Sequence, residues 1–379
     1  MAKKNSDAAG IVLLAKQNGL TSYSSLHAVK KALGTSKVGH TGTLDSFAQG
    51  LLVVCVGNLT RLSSHITAFD KTYEAVIEFG KETDTLDPTG EVIKTADLPC
   101  LKVLLDSLEK FTGAIEQTPP AFSALHIDGK RASDLVRSGH QVELEKRLVF
   151  IFANKICELK FDDGTALTFP DNPENEFEKI DFSEYKDYLE KKVHYARIRF
   201  EVSKGTYIRS LARDIGESCD SAAFLDGLLR TKISCFDLKN AAGIELLKPF
   251  TIESVLKNLN TTPKNENFDI IVEEVKNKIT SMTPEIAEQC GMAAIRIKSE
   301  NEFDFYNGRP LKQKMFSPIF PDKEWPTEAG TLEKRQTAFF KDSKYSVFLE
   351  DSTFAGVVRF ENNRIFYEYV IPKIAAKTE

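Results

Sequence analysis

Six consecutive apolar residues, Leu51-Leu-Val-Val-Cys-Val56, follow a loop rich in glycine and threonine. Side chains alternate between faces along a strand, so a run that is apolar at every position must be covered on both sides. This chain therefore needs material above and below a central strand. Upstream, Ile11–Ala15 reads as a short buried strand. Thr21 or Ser22 then caps a helix whose Tyr23, Leu26, Val29 and Leu33 keep helical spacing up to Gly34. Leu59, Leu62, Ile66 and Phe69 restore a helical stripe. From Tyr73 the pattern alternates, with Tyr73, Ala75, Ile77 and Phe79 on one face and Glu74 and Glu78 on the other, which predicts a half-exposed strand.

Gln117-Thr-Pro-Pro120 is extended, because proline removes a donor and restricts the residue before it. A helix over Ser133–Ser138, strands over Leu148–Leu159 and Val193–Val202, a turn at Gly205 and an amphipathic helix through Ile208, Leu211, Ala212 and Ile215 follow. Strands and helices without regular βαβ alternation indicate an α+β fold. Residues near 256–280, rich in Asn, Lys, Thr and Glu, read as a linker or poorly packed helices. Beyond them, Ala293–Ile297, Tyr345–Leu349, Gly356–Phe360 and Phe366–Val370 make a small β-rich domain. The expected division is a body over 1–255, a linker over 256–285 and a C-terminal domain over 286–379.

Composition narrows the classes further. Of 379 residues, 42% are hydrophobic and 28% charged, which argues against disorder or a fibrous repeat as the main theme. The early apolar run is too short for a membrane span or a signal-peptide core, so a cytoplasmic, membrane-free protein is expected. Six scattered cysteines without a C-x-x-C pair, and six histidines without H-x-x-x-H spacing, predict reduced thiols, no bound metal and no cofactor. Net charge is −5, but residues 161–192 hold ten acids against four lysines and account for −6, leaving the rest near neutral. That stretch, with Pro170 and Pro173, reads as an acidic surface insertion carrying one short helix near its end. A near-neutral body leaves room for a basic groove, so nucleic acid stays open as a partner.

Three places could carry chemistry. In Lys37-Val-Gly-His-Thr-Gly-Thr-Leu-Asp45, glycines allow close backbone approach to a ligand, and Asp45 stands just before the buried strand. An aspartate after a loop is more often a turn or cap residue. The loop is not a phosphate-binding P-loop, since no G-K-[ST] closes it. In Ser203-Lys-Gly-Thr-Tyr-Ile-Arg209, the arginine lies near the start of a helix, where the dipole disfavours cations, so it calls for an anionic partner or open solvent. In Lys71-Thr-Tyr73 the tyrosine is by default core packing, its hydroxyl seeking a partner.

Taken together, KVGHTGTLDSFAQGLL, KTYEA, QTPPAFSA with GKRA, SKGTYIRSLARDIGE and LDGLLRT occur in an order that resembles the TruB family of RNA pseudouridine synthases, over residues 10–235. The resemblance implies a pseudouridine synthase core with a bent mixed β-sheet and a central cleft, followed by a PUA-like RNA-binding domain. It implies that Asp45 is the catalytic aspartate and that Tyr73 packs on the target uracil and assists proton removal from C5. Tyr207 and Arg209 would be the active-site tyrosine and the arginine that pairs with Asp45. His40 would fill the gap left in the RNA, and Leu228 would line the site. The implied activity is isomerisation of uridine 55 in the T stem-loop of tRNA by a monomer, without cofactor. An Arg beside Asp45 is expected to lower its pKa by about 1–3 units.

Some positions depart from the family pattern. Ala15-Lys-Gln-Asn-Gly19 stands where Asp-Lys-Pro-x-Gly is usual, Ser46 where Pro is common, His126 for a Lys and Ser133 for a Tyr. These touch RNA-contacting loops rather than the catalytic set. The acidic insertion is expected on the far side of the cleft, away from phosphates. Two other readings stand beside the enzyme: an RNA-folding factor, which has no use for an ionised Asp paired with Arg, and a carboxylate glycosidase, which needs a second acid across the bond. Asp84 and Asp87 are the candidates for that acid, and Asp-Pro followed by Gly explains them better as turn residues.

Overall fold

The protein is described from a computed structural model over residues 9–123, 126–127, 130–131, 138, 144–258, 267–326, 332–334, 338–339 and 343–372. The expected helix over Ser133–Ser138 lies outside the described residues except at its last position, a turn. The main elements of the body are β1 (Gly10–Lys16), α1 (Ser22–Leu33), β2 (Gln49–Val56), β3 (Lys71–Phe79), α2 (Leu101–Lys110), β4 (Gly113–Gln117), β5 (Arg147–Phe161), β6 (Ala166–Thr168), β7 (Val193–Val202), α3 (Ile208–Ser218) and β8 (Ala223–Ile233). They are followed by α4 (Phe268–Lys278). The principal sheet runs β1-β2-β8-β3-β7-β5-β6, with β4 added to β5, Val38–His40 to β2 and Phe236–Asp237 to β8. It is mixed: β2 and β8 run parallel through Leu229–Gln49 and Arg230–Gly50, while the other described pairs are antiparallel.

The requirement set by Leu51–Val56 is met from two sides. Leu52, Val54 and Val56 join Leu26 and Val29 of α1, Leu104 of α2, Leu211 and Ile215 of α3, and Val275 of α4 in one core. Leu51, Val53 and Cys55 face a second core that contains Leu59, Leu62 and Ile66 and reaches Met292, Phe348, Phe354 and Val357 of the C-terminal unit. That unit is a five-stranded sheet of β9 (Ala293–Ile297), β10 (Phe316–Pro318), β11 (Ser343–Phe348), β12 (Phe354–Glu361) and β13 (Arg364–Val370), ordered β10-β9-β11-β12-β13. Its other face has a core of its own around Ile295, Phe305, Tyr345 and Val347. At the seam between body and C-terminal unit, two cysteines far apart in sequence, Cys235 and Cys290, bring their sulfurs to 3.6 Å.

Helix α1 begins and ends where its caps place it: Thr21 Oγ1 accepts from the Ser24 amide at 3.0 Å, and Gly34 closes the helix at φ +61°. Two expectations change. Strand β3 is buried at all nine positions rather than half-exposed, because Glu74 and Glu78 are covered by partners from distant elements. Residues 268–278 form α4, which packs on α1 and β1 with Ile271, Val272 and Val275 buried, so this stretch is a seated helix. No helix among the described residues is long and apolar enough to cross a membrane.

The acidic insertion carries β6 and a short 3-10 helix, Phe182–Tyr188. Its carboxylates are tied to the sheet: Asp171 meets Arg199 at 3.0 Å and Glu176 meets Lys232 at 2.7 Å. The Glu176 carbonyl also accepts from Arg199 at 3.1 Å. Two of the segment's ten acids are thereby paired with cations of the body.

Candidate active site

The loop that leads to Asp45 is fixed from below by buried side chains. Ser22 Oγ donates to the Leu44 carbonyl and accepts from the Leu44 amide, both at 2.9 Å. Lys16, 1% exposed, donates from Nζ to the carbonyls of Gln17, Ser46 and Ala48. Gly19 N–H reaches the Ser46 carbonyl at 2.8 Å, so the turn that departs from the family pattern still anchors this loop. Arg230, also 1% exposed, donates from Nε to Leu51 O at 2.8 Å and from Nη2 to Gly42 O at 3.1 Å. Gly50 sits at φ +115° where β2 meets β8, and a Cβ there would lie 2.4 Å from the Arg230 carbonyl, so only glycine allows the pairing.

Asp45 and Arg209 come together across 164 residues: Nε lies 3.0 Å from Oδ2 and Nη2 3.4 Å from Oδ1. The arginine side chain is 7% exposed, whereas Asp45 keeps 39% of its side-chain surface open. Arg209 Nη1 donates to the Thr85 carbonyl at 2.8 Å and meets Asp87 Oδ2 at 3.4 Å. Nη2 also donates to the Phe122 carbonyl at 2.9 Å. One guanidinium thus joins two carboxylates and two loops. Asp87 is a turn residue as well: its Oδ1 accepts from the Thr85 hydroxyl and from the Thr89 amide and hydroxyl.

The Asp45 carboxyl is pushed above the ordinary carboxylate value, contrary to the expected lowering. Burial is the largest cause, Arg209 and Lys16 pull against it, and Asp87 adds to the rise. Burial, partly opposed by Asp45, brings Lys16 down to about 7. Tyr207 caps α3, and its phenol is raised chiefly by burial, so it stays neutral. His40, on the short strand beside β2, is lowered by burial and then by Arg230, and its Nδ1 is buried without a partner. Tyr73 and Leu228, 8% and 6% exposed, belong to the same buried cluster as Leu44 and Phe47, next to Asp45 in the chain. In register, Tyr73 faces Arg230 and Leu228 faces Ala75.

A family model described as TruB family pseudouridylate synthase (N terminal domain) matches residues 30–169. The chain is 40% identical to the tRNA pseudouridine synthase B of Treponema denticola over 370 residues, covering 95% of this chain and 98% of the relative. The chain belongs to the TruB family. It is 38% identical over 247 residues to the tRNA pseudouridine synthase B of Borreliella burgdorferi, covering 65% of this chain and 77% of that one. The fold matches a crystal structure of a Cbf5-Nop10-Gar1 complex with a TM-score of 0.57 at 19% identity, over 96% of this chain and 85% of that one. As a TruB-family pseudouridine synthase, the chain is an RNA isomerase.

Four residues of this TruB-family site escaped the sequence reading. Asp87 was weighed as a glycosidase acid and read as a turn former, not as a partner of Arg209. Lys16, in the departing Ala15–Gly19 stretch, gave no sign that it would be buried under Asp45. Arg230 lay inside the LDGLLRT motif, and Gln117, whose Oε1 accepts from the Tyr207 amide at 2.8 Å, opened the QTPP motif, both without an assigned role. Asp87 does not supply the second acid of a glycosidase: its side chain is 9% exposed and faces Arg209. Among the described residues no group of three or more His, Cys, Asp or Glu is placed to hold a metal ion.

Proposed function

We propose that this enzyme converts uridine 55 in the T loop of tRNA to pseudouridine, with Asp45 as its catalytic carboxylate. The observation that carries this reading is Asp45 itself, held 3.0 Å from a buried arginine with one side left open. The names of the relatives, tRNA pseudouridine synthase B, support tRNA as the substrate. In the reaction the bond between uracil N1 and the sugar C1′ breaks, the uracil reorients, C5 joins C1′, and the proton lost from C5 is balanced by one taken up at N1, so the product is an isomer. No group enters and nothing is oxidised.

The target base leaves its stack at a cost of about a few kcal/mol. His40, on the short strand beside β2 and with its pKa lowered by burial, would fill the gap. Tyr73 stacks on the uracil, worth about 1–3 kcal/mol. Asp45 acts ionised, either on the sugar or base or by taking a sugar proton, and Arg209 holds it in place. Tyr207 and Leu228 close the pocket. The small C-terminal sheet is a PUA-like module that grips the tRNA outside the T loop. On this reading the enzyme works as a monomer in the cytoplasm.

An unmodified tRNA transcript incubated with the enzyme, then mapped by pseudouridine-specific chemical labelling, tests the reading. One labelled T-loop site that disappears with Asp45→Asn is the expected result. Binding without labelling would instead favour an RNA-folding role.

A further inference from the structure

The α3 start carries both Tyr207 and Arg209, yet no side chain of its own caps it. It is held instead from Gln117, at the end of β4. The Gln117 side chain is 1% exposed, and both ends of its amide go to one residue. Oε1 accepts from the Tyr207 amide at 2.8 Å, and Nε2 donates to the Tyr207 carbonyl at 3.1 Å. A neighbouring β-strand would make the same two bonds through its backbone; here a side chain makes them, at a residue with extended φ −101° and ψ 110°.

The segment after Gln117 is fastened to the same helix. Ser210 Oγ and Arg213 Nη2 donate to the Thr118 carbonyl at 2.8 and 3.1 Å. Arg209 Nη2 donates to Phe122 O at 2.9 Å. Pro119 and Pro120 have no N–H to offer and keep the strap extended. The position of Arg209 relative to Asp45 therefore depends on where Gln117 holds the residue two before it.

We propose that Gln117 is a positioning residue for the isomerisation: its two-point clamp on Tyr207 sets the ring of Tyr207 and the guanidinium of Arg209 for the reacting uridine. The proposal rests on the reading of Asp45, Tyr207 and Arg209 given above. A side chain that merely filled the core would affect stability, and activity only in proportion to the folded fraction. A positioning residue acts on the chemical step, because small misplacements of reacting groups are costly in rate.

The test compares single-turnover rate, tRNA affinity and melting temperature for the unaltered enzyme, Gln117→Met, Gln117→Glu and Asp45→Asn. Gln117→Met keeps the length and removes both bonds. It is expected to slow the reaction by about ten- to a hundredfold per folded molecule, with tRNA affinity unchanged. Gln117→Glu adds a readout that a packing role would not move. A protonated carboxyl presents one acceptor and one donor where the amide did, whereas an ionised one turns an acceptor toward the Tyr207 carbonyl. Its rate relative to the unaltered enzyme is therefore expected to rise as pH falls, while the Gln117→Met ratio stays flat. An unaltered rate in Gln117→Met, a rate loss matched by lost affinity, or a pH-independent Gln117→Glu ratio would each overturn the proposal. Should Gln117→Met not fold, the Gln117→Glu ratio decides alone. Activity in the unaltered enzyme that Asp45→Asn abolishes and Gln117→Met preserves would sink this proposal only. No labelling by the unaltered enzyme would sink the functional reading and this proposal with it.

Discussion

The body holds two buried arginine–carboxylate networks, one on the principal sheet and one between α3 and two loops, and they end differently. In one, Glu74 is shared by Arg197 at 2.6 Å and Arg199 at 2.7 Å, and Glu158 sits 3.2 Å from Arg197. The side chains of Glu74, Glu158 and both arginines are 8–13% exposed. In the other, Arg209 is as deeply set, but one of its two carboxylates, Asp45, is 39% open. The chemistry of the parts is the same. Exposure alone does not separate them, since Asp171, which meets Arg199, is 55% open; what sets Asp45 apart is that its arginine also holds Asp87 and the Thr85 and Phe122 carbonyls of two loops.

The sharpest break in the comparison is Asp45→Asn. Losing the open carboxylate should lower the single-turnover rate by about a thousandfold or more, with the melting temperature nearly unchanged, since asparagine keeps the shape and much of the contact with Arg209. Glu74→Gln should do the reverse. It leaves two buried guanidinium groups short of an anion, a change of about 3–5 kcal/mol in urea unfolding, while the rate per folded molecule holds. A Glu74→Gln enzyme of full stability would show that this network contributes little. Removal of residues 171–177 would strip Asp171 and Glu176 from Arg199 and Lys232 and should destabilise in the same direction by a smaller amount.

How much of this was legible depends on how local the cause is. The α1 caps, the span of β7 and the doubly covered β2 follow from neighbouring residues, and the structure has them there. Strand β3 was misread because Glu74 alternates like a solvent-facing residue, and the arginine that buries it comes 125 positions later. Helix α4 was hidden by its Asn, Lys and Glu content, although three apolar residues suffice to seat it on α1. The Asp45–Arg209 pair spans 164 positions and was accessible only through family resemblance. The sign of the Asp45 shift was missed for a related reason: sequence suggests a neighbour, but desolvation is a property of the assembled fold.

Asp226 shows that a raised pKa does not by itself mark a site. It stands at a bulge of β8 facing β3, is 4% exposed, and has an Oδ2 without a partner. Burial first, then Glu78, lifts it to about 7, with Lys81 opposing. Tyr195 and His194 also adjoin Glu78. In the unfolded chain the carboxyl titrates near 3.8, so between that value and about 7 the folded state keeps a proton the unfolded state has lost. Stability should therefore fall as pH rises through that window, by at most about 1.4 kcal/mol per unit, and level off above it. Asp226→Asn should flatten the slope and leave the rate alone. A slope that persists in the variant would assign it to another group.

The smallest effect tests the link between the open carboxylate and its closed partner. Asp87→Asn keeps the Oδ1 that accepts from Thr85 and Thr89 and removes the charge 3.4 Å from Arg209 Nη1. Asp87 is one of the two groups raising Asp45, the other being burial, so its neutralisation should lower the Asp45 pKa. With ionised Asp45 as the active form, as proposed above, the acid limb of the pH–rate profile should move to lower pH, by less than about one unit. Arg209, left with a single anion, should then hold Asp45 more tightly, so the loss in rate at neutral pH should be far below that of Asp45→Asn. A limb that moves upward would mean that Asp87 acts mainly by fixing Arg209, with its charge on Asp45 secondary, and the two carboxylates would then be coupled through geometry rather than through the field.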